Sequence, residues 1–361
     1  MEKMKNDEKI NVLIEEIKNL KLENITLKKE LDILKPYKEK YEMLESKLTS
    51  LTEIIKNLQL KTNTLEKYHT QLIHKSTLTT HHLMINSLSV FPSGNFISVS
   101  DDKTIQIRDK NYNLLYKIID AHDEGISYVS IKDNNNFSTC SWDKSIKIWT
   151  KVNNIWSMKE IISNAHKNDI YKIIYCKNNN IISCSKDNTV KIWKLINENK
   201  HQCEISLKNS EFIHSILLLE DKNMLICSGK EGTFFWDIIK YKIVFHLKKA
   251  SCVSWNSLIR FDNLIIIGGL DNSIFIVSIE EKKIIKIINN NSLCWGICFL
   301  KEKNLIISGG VDGDIKVYNM NFECIQTIEK AHNDSINGLT VLNNGSIASF
   351  SLDSEIKIWD F

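Results

Sequence analysis

The sequence predicts an all-β fold, a seven-bladed β-propeller, preceded by an α-helical coiled coil. Three observations carry that expectation. A unit of about 40 residues recurs from His81 to the last residue. Each unit alternates apolar and polar residues over short stretches, as short antiparallel strands do. The first 68 residues instead repeat apolar positions every three or four residues.

The repeat is clearest in SWDKSIKIWT from Ser141, SKDNTVKIWK from Ser185 and SLDSEIKIWD from Ser351. Weaker copies are SDDKTIQIRD, GVDGDIKVYN, GLDNSIFIVS and GKEGTFFWDI. Their acids are Asp102, Asp143, Asp187, Glu231, Asp271, Asp312 and Asp353, spaced 40 to 44 residues apart. Seven small sheets repeated radially describe a propeller.

Other residue types keep fixed offsets from those acids. Three units hold a full tetrad: His122, Thr139, Asp143 and Trp149; His166, Ser183, Asp187 and Trp193; His332, Ser349, Asp353 and Trp359. The first unit has His81, Ser98 and Asp102, with Arg108 in place of Trp. The sixth has Ser308 and Asp312, with Asn291 read in the His place and Tyr318 in the Trp place. The fourth substitutes Ser210, Cys227 and Glu231, and the fifth keeps Asp271 alone, its register around Trp255 left open.

Such a set resembles a catalytic constellation, but an enzyme rarely builds one site several times over. The expected chemistry is a structural relay, with Asp accepting from turn amides and His, His linked to the hydroxyl, and the hydroxyl to the indole. Charge-assisted hydrogen bonds of this kind contribute about 1.5–3 kcal/mol each. No catalytic residue, metal ligand or cofactor is expected. P-loop, nucleophile-elbow and zinc-protease motifs are missing from the sequence, and SGKEGT falls on a repeat turn.

Residues 70–361 resemble a WD40-repeat domain, whose eponymous Trp-Asp falls here at Trp149-Thr150, Trp193-Lys194, Trp236-Asp237 and Trp359-Asp360. The resemblance implies that His enters each blade, Asp sits in the turn between second and third strands, and Trp lies on the third. It implies a top face for protein or peptide partners, formed by the residue before each turn acid: Asp101, Trp142, Lys186, Lys230, Leu270, Val311 and Leu352. Positions five after the His add Ser127, Tyr171 and Asn337. The chain stops on a third strand, so residues 70–77 are expected to supply the fourth and close the ring.

The coiled-coil seam runs through Ile10, Leu13, Ile17, Leu20, Asn24, Leu27, Leu31 and Leu34. It resumes past a kink at Pro36 with Leu44, Leu48, Leu51, Ile55, Leu58 and Leu65. Ile and Leu in this order with one core Asn favour a parallel two-stranded coil, so residues 1–68 are expected to form a homodimer. A single helix folded back on the propeller is the competing arrangement. A G-protein β-like subunit, pairing its helix with another chain, and a substrate receptor of a ubiquitin ligase are the alternative functions. The latter lacks an F-box-like segment and the Trp-Asp-x-Arg pattern.

The net charge of +3, from 47 basic and 44 acidic side chains, gives no pull toward nucleic acid. The charged amino terminus is unlike a secretory leader, and no apolar run is long enough to cross a bilayer. Nine irregularly spaced cysteines fit a reducing, cytoplasmic setting, with Cys294 and Cys298 read as core thiols.

Overall fold

The computed structural model describes residues 2–31, 43–56, 71–197, 200–252 and 254–361. The chain forms two compact units, Met1–Gln71 and Leu72–Asp360.

In the first unit, helix α1 spans Glu2–Leu31 and residues 43–56 are also helical. The expected seam is the less exposed stripe of both. Ile10, Leu13, Leu20, Asn24 and Leu27 are half-buried and Ile17 is 8% exposed, whereas Val12, Leu22 and Ile25 face solvent. Leu44, Leu48, Leu51 and Ile55 are half-buried. Leu34, Pro36, Leu58, Leu65 and the side chain of Leu31 lie outside the described residues.

The second unit is a ring of seven four-stranded antiparallel sheets. Numbered along the chain, the blades have inner strands Ile85–Val90, Ile126–Asp133, Ile170–Tyr175, Ile213–Leu219, Leu258–Phe261, Cys294–Leu300 and Ile336–Val341. Each inner strand packs beside the next, and that of blade 7 beside that of blade 1. Strand Ile73–Thr79 is the outermost strand of blade 7, paired from Ile73↔Asp360 to Thr79↔Glu355. The two ends of the ring therefore share one sheet, with Lys75 and Asp360 2.5 Å apart across it.

Alternation explains where the core sits. In strand Ile146–Val152 the side chains of Ile146 and Ile148 are buried while Lys147 between them is half-buried. Other strands bring apolar residues to the opposite face as well, as Ile85, Leu88 and Phe96 of blade 1 pack on Phe350, Ile356 and Ile358 of blade 7, and the cores lie between neighbouring blades. Between blades 1 and 2, for example, Ile97, Val99, Ile105 and Ile107 meet Ile126, Val129 and Phe137. Both thiols of the Cys-Trp-Gly-Ile-Cys run are buried on the inner strand of blade 6, where burial pushes them far above an ordinary thiol value.

The turn that carries the acid has one recurrent backbone feature. The residue after it is left-handed in six blades: Lys103, Lys144, Asn188, Asn272, Gly313 and Ser354 have φ of 61–78°. That conformation is costly for residues with a Cβ. In blade 2 the carboxylate offsets it, since Asp143 Oδ1 accepts from the amide of Ser145 at 2.8 Å.

Candidate functional site

Each full tetrad is a continuous chain of donors. In blade 2 the indole N–H of Trp149 donates to Thr139 Oγ1 at 2.9 Å, and His122 Nε2 lies 2.8 Å from that hydroxyl. His122 Nδ1 lies 2.8 Å from Asp143 Oδ2, which also accepts from the amide of Asp123 at 3.1 Å. The ionised carboxylate can only accept, so Nδ1 carries a proton toward Asp143, and Nε2 takes the proton of the Thr139 hydroxyl, which accepts from the indole. The ring is then neutral with its proton on Nδ1, facing the carboxylate.

Blade 3 repeats this, with Trp193 Nε1 to Ser183 Oγ at 2.8 Å, Ser183 to His166 at 2.7 Å and His166 to Asp187 at 3.0 Å. Blade 7 does so through Trp359, Ser349, His332 and Asp353 at 2.8, 2.7 and 2.8 Å. Burial alone would raise Asp143, Asp187 and Asp353, but hydrogen bonds from the histidines and turn groups hold them well below the usual carboxylate range. Burial pushes His122 and His166 down, against the pull of their aspartates, which agrees with neutral rings.

His332, Asp353 and Glu355 bring potential ligand atoms within 4.8 Å of one another. Both ring nitrogens of His332 are already committed to Asp353 and Ser349, so the cluster is the relay with a neighbouring carboxylate.

A further member of these sets escaped the sequence reading. Lys147, Lys191 and Lys357 donate to the carbonyls of Ala121, Ala165 and Ala331, each just before the blade's His, at 2.6–2.8 Å. The signal was present as the lysine of the repeated (Ile/Val)-Lys-Ile-Trp, four residues after the acid.

The irregular blades depart from this in separate ways. In blade 1, His81 reaches Ser98 at 2.9 Å and Asp102 at 3.0 Å, while Arg108 turns to Gln106 and the carbonyl of Tyr112. In blade 6 the His place is taken by Asn290, which corrects the reading of Asn291. The loop carries one extra residue: Asn291 takes a φ of 60° at the surface, and the buried Asn290 amide oxygen accepts from Tyr318 Oη at 2.6 Å and Ser308 Oγ at 3.2 Å.

Blade 4 has a shorter turn, closed by the Gly229↔Gly232 pair. Trp236 still fills the Trp place, opposite Leu225 as Trp149 is opposite Phe137, but Cys227 offers no hydroxyl and the indole N–H is unpartnered. In blade 5, buried Ile267 and Val277 stand where other blades have hydroxyl and Trp, and Asp271 is exposed. Trp255 lies in a turn ahead of the inner strand of blade 5.

The face carrying the acid turns presents the remaining predicted residues. The amides of Asp101, Trp142, Lys186, Val311 and Leu352 are each tied to the loop entering their blade at 3.0–3.1 Å, which fixes where the side chains project. Trp142, Leu270, Val311 and Leu352 are half-buried, and Lys186 and Lys230 are exposed. Lys186 is paired with Asp169 at 3.2 Å. Burial raises the carboxyl of Asp101, partly countered by Asn86 Nδ2 at 2.6 Å. Tyr171 is half-buried in a stack with His214 and Trp255.

Ser127 and Asn337 do not belong to that face, which corrects their assignment. They sit at bulges that start the inner strands, and they stitch blades together. Asn337 Nδ2 donates to the carbonyl of Ile85 at 3.0 Å, Asn86 Nδ2 to that of Ile126 at 2.9 Å, and Ser127 Oγ to that of Ile170 at 2.5 Å.

Among known proteins, residues 73–109, 113–150, 158–194, 282–319 and 322–360 match the WD domain, G-beta repeat family, just over half of the chain. Over 75 residues the chain is 41% identical to Lissencephaly-1 homolog 1 of Paramecium tetraurelia, a match covering 20% of this chain and 18% of that relative. The chain thus spans less than a fifth of that relative's length. A ring of seven blades, fastened in three of them by His, Ser or Thr, Asp and Trp, and matched by that family over five repeats, makes this chain a member of the WD40-repeat family.

Proposed function

We propose that this protein is a non-catalytic scaffold, its propeller holding protein or peptide partners on the top face and its helices pairing with a second copy. The observation that carries the first part is the set of half-buried apolar side chains Trp142, Leu270, Val311 and Leu352 at the acid turns, of which Trp142, Val311 and Leu352 have their amides tied to the entering loop. Large aromatic groups at such rims are over-represented among binding hot spots. The tetrads support a structural reading, because every polar atom of the three relays already has a partner within the blade.

Self-association rests on the apolar stripe and its single Asn24. Ile17 is largely covered within one chain, so light scattering on the intact protein beside Ile17→Asp is the deciding measurement. A wild-type dimer and a monomeric variant support pairing; a monomeric wild type removes it. For the top face, partners captured by the intact chain are compared with those of Trp142→Ala/Leu352→Ala. Partners lost from the folded double variant support the face, and identical sets discard it. A cytoplasmic setting is part of the proposal, supported by nine cysteines that are all free thiols.

A further inference from the structure

In blades 7, 1 and 2 the bulge that opens the inner strand carries a short amide or hydroxyl, which bonds to the next blade. In blades 3, 4 and 6 a ring stands there instead: Tyr171, His214 and Trp295. Blade 5 differs again. The residues before its inner strand leave the wall and cross the axis of the ring.

Trp255 Nε1 donates to the carbonyl of Asn86 in blade 1 at 2.9 Å. Asn256 Nδ2 donates to the same carbonyl at 2.9 Å and to that of Asn337 in blade 7 at 3.0 Å. The Trp255 carbonyl accepts from Lys172 Nζ of blade 3 at 2.9 Å and from Ser215 Oγ of blade 4 at 3.0 Å. The Asn256 carbonyl accepts from the amide of Ile297 in blade 6 at 3.1 Å. The indole stacks on Tyr171, centroids 5.8 Å apart and planes 15° apart. The segment is also braced internally, by Ser257 Oγ and Cys252 Sγ on the carbonyl of Ser254.

We infer that residues 254–257 are an axial tie, which seals the centre of the ring and couples blade 5 to blades 1, 3, 4, 6 and 7. It stands in the sector where bulge-to-bulge stitching stops and where blade 4 and blade 5 lack a relay. Lys172 lies beneath the tie, buried, its ammonium shared among Trp255, Ser215 Oγ at 3.1 Å and the face of Tyr128. A partner on the top face therefore meets a closed centre and contacts the rim.

Hydrogen exchange followed by mass spectrometry on the intact chain tests this with Trp255→Phe/Asn256→Ala, which keeps an aromatic ring and deletes the cross-ring donors. Exchange is expected to quicken about tenfold in residues 85–90 and 336–341 but not in 126–133 of blade 2, which the segment does not touch. Acetylation of Lys172 by acetic anhydride, slow in the wild type relative to exposed Lys186, is expected to quicken as well. Acceleration confined to residues 254–261, or equal in blade 2, overturns the tie, as does wild-type Lys172 reacting as fast as Lys186. Should the double variant fail to fold, Trp255→Phe alone is read by the same criteria.

Discussion

Blades 7, 1, 2 and 3 and blades 4, 5 and 6 have the same four-stranded sheets but are fastened by different means. On the first side, relays run from Trp through the hydroxyl and His to Asp in blades 7, 2 and 3, and from Ser98 through His81 to Asp102 in blade 1. Bulge side chains there stitch each inner strand to the next. On the second side the relay gives way to Cys227 and an unpartnered indole, then to Ile267 and Val277, then to Asn290 with Tyr318. The sheets persist regardless. Alternation of apolar residues and packing between blades therefore set the blade, and the relay is one of several ways of locking its turn. The stretch from 195 to 281, left unmatched by the family's repeats, holds blade 4 and most of blade 5, whereas blade 6, which keeps Ser308 and Asp312, is still matched.

Variants on the two sides should break or sharpen this contrast. Asp143→Ala takes the carboxylate from the Nδ1–H of His122, leaving it only Ser145 Oγ at 3.1 Å, and from the amides of Asp123 and Ser145, so a loss of about 3 kcal/mol is expected in urea unfolding. Glu231→Ala, whose side chain is exposed in blade 4, should cost little; equal losses would dissolve the distinction. The relay carboxylates are depressed in the folded state, so their contribution is present at neutral pH. It is lost as pH falls below about 4 toward the folded value, and the gap between wild type and Asp143→Ala should close in that direction.

Asn86→Ala removes the stitch from blade 1 to blade 2 at a fully buried site, and about 2 kcal/mol of destabilisation is expected by the same measurement. A smaller effect of opposite sign belongs to Lys172. Burial lowers its ammonium from 10.5 to about 8, so folding carries a penalty below pH 8 that is relieved as pH rises toward 10.5. Lys172→Met should gain about 1 kcal/mol at pH 7, the lost hydrogen bonds offsetting part of the relief, and should abolish the rise of unfolding free energy between pH 8 and 10. A variant that keeps that slope assigns it elsewhere. The smallest change expected is a gain of up to about 1 kcal/mol from Arg108→Trp, which offers Ser98 an indole donor and removes a buried, unpartnered Nε. Thermal unfolding checks the sign.

How much of this was legible in the sequence varies along the chain. Where a tight turn demands an acid followed by a residue tolerant of positive φ, the demand recurs every 40 to 44 residues and shows as a repeat. Asn290 was missed because a one-residue loop insertion moves the side chain off the fixed offset while leaving the fold intact. Ser127 and Asn337 were assigned to the surface because an offset gives a place along the strand, and only the bulge turns the side chain toward the neighbouring blade.

The sequence by itself determined the number of blades, the strand alternation and the residues of the complete relays, since each follows from local periodicity repeated along the chain. Tertiary structure decided which side chains stitch one blade to another, which ring position Asn290 fills and where Trp255 goes. Those contacts join residues as far apart as Asn86 and Trp255, and no periodic signal connects positions that meet only once, across the axis of a closed ring.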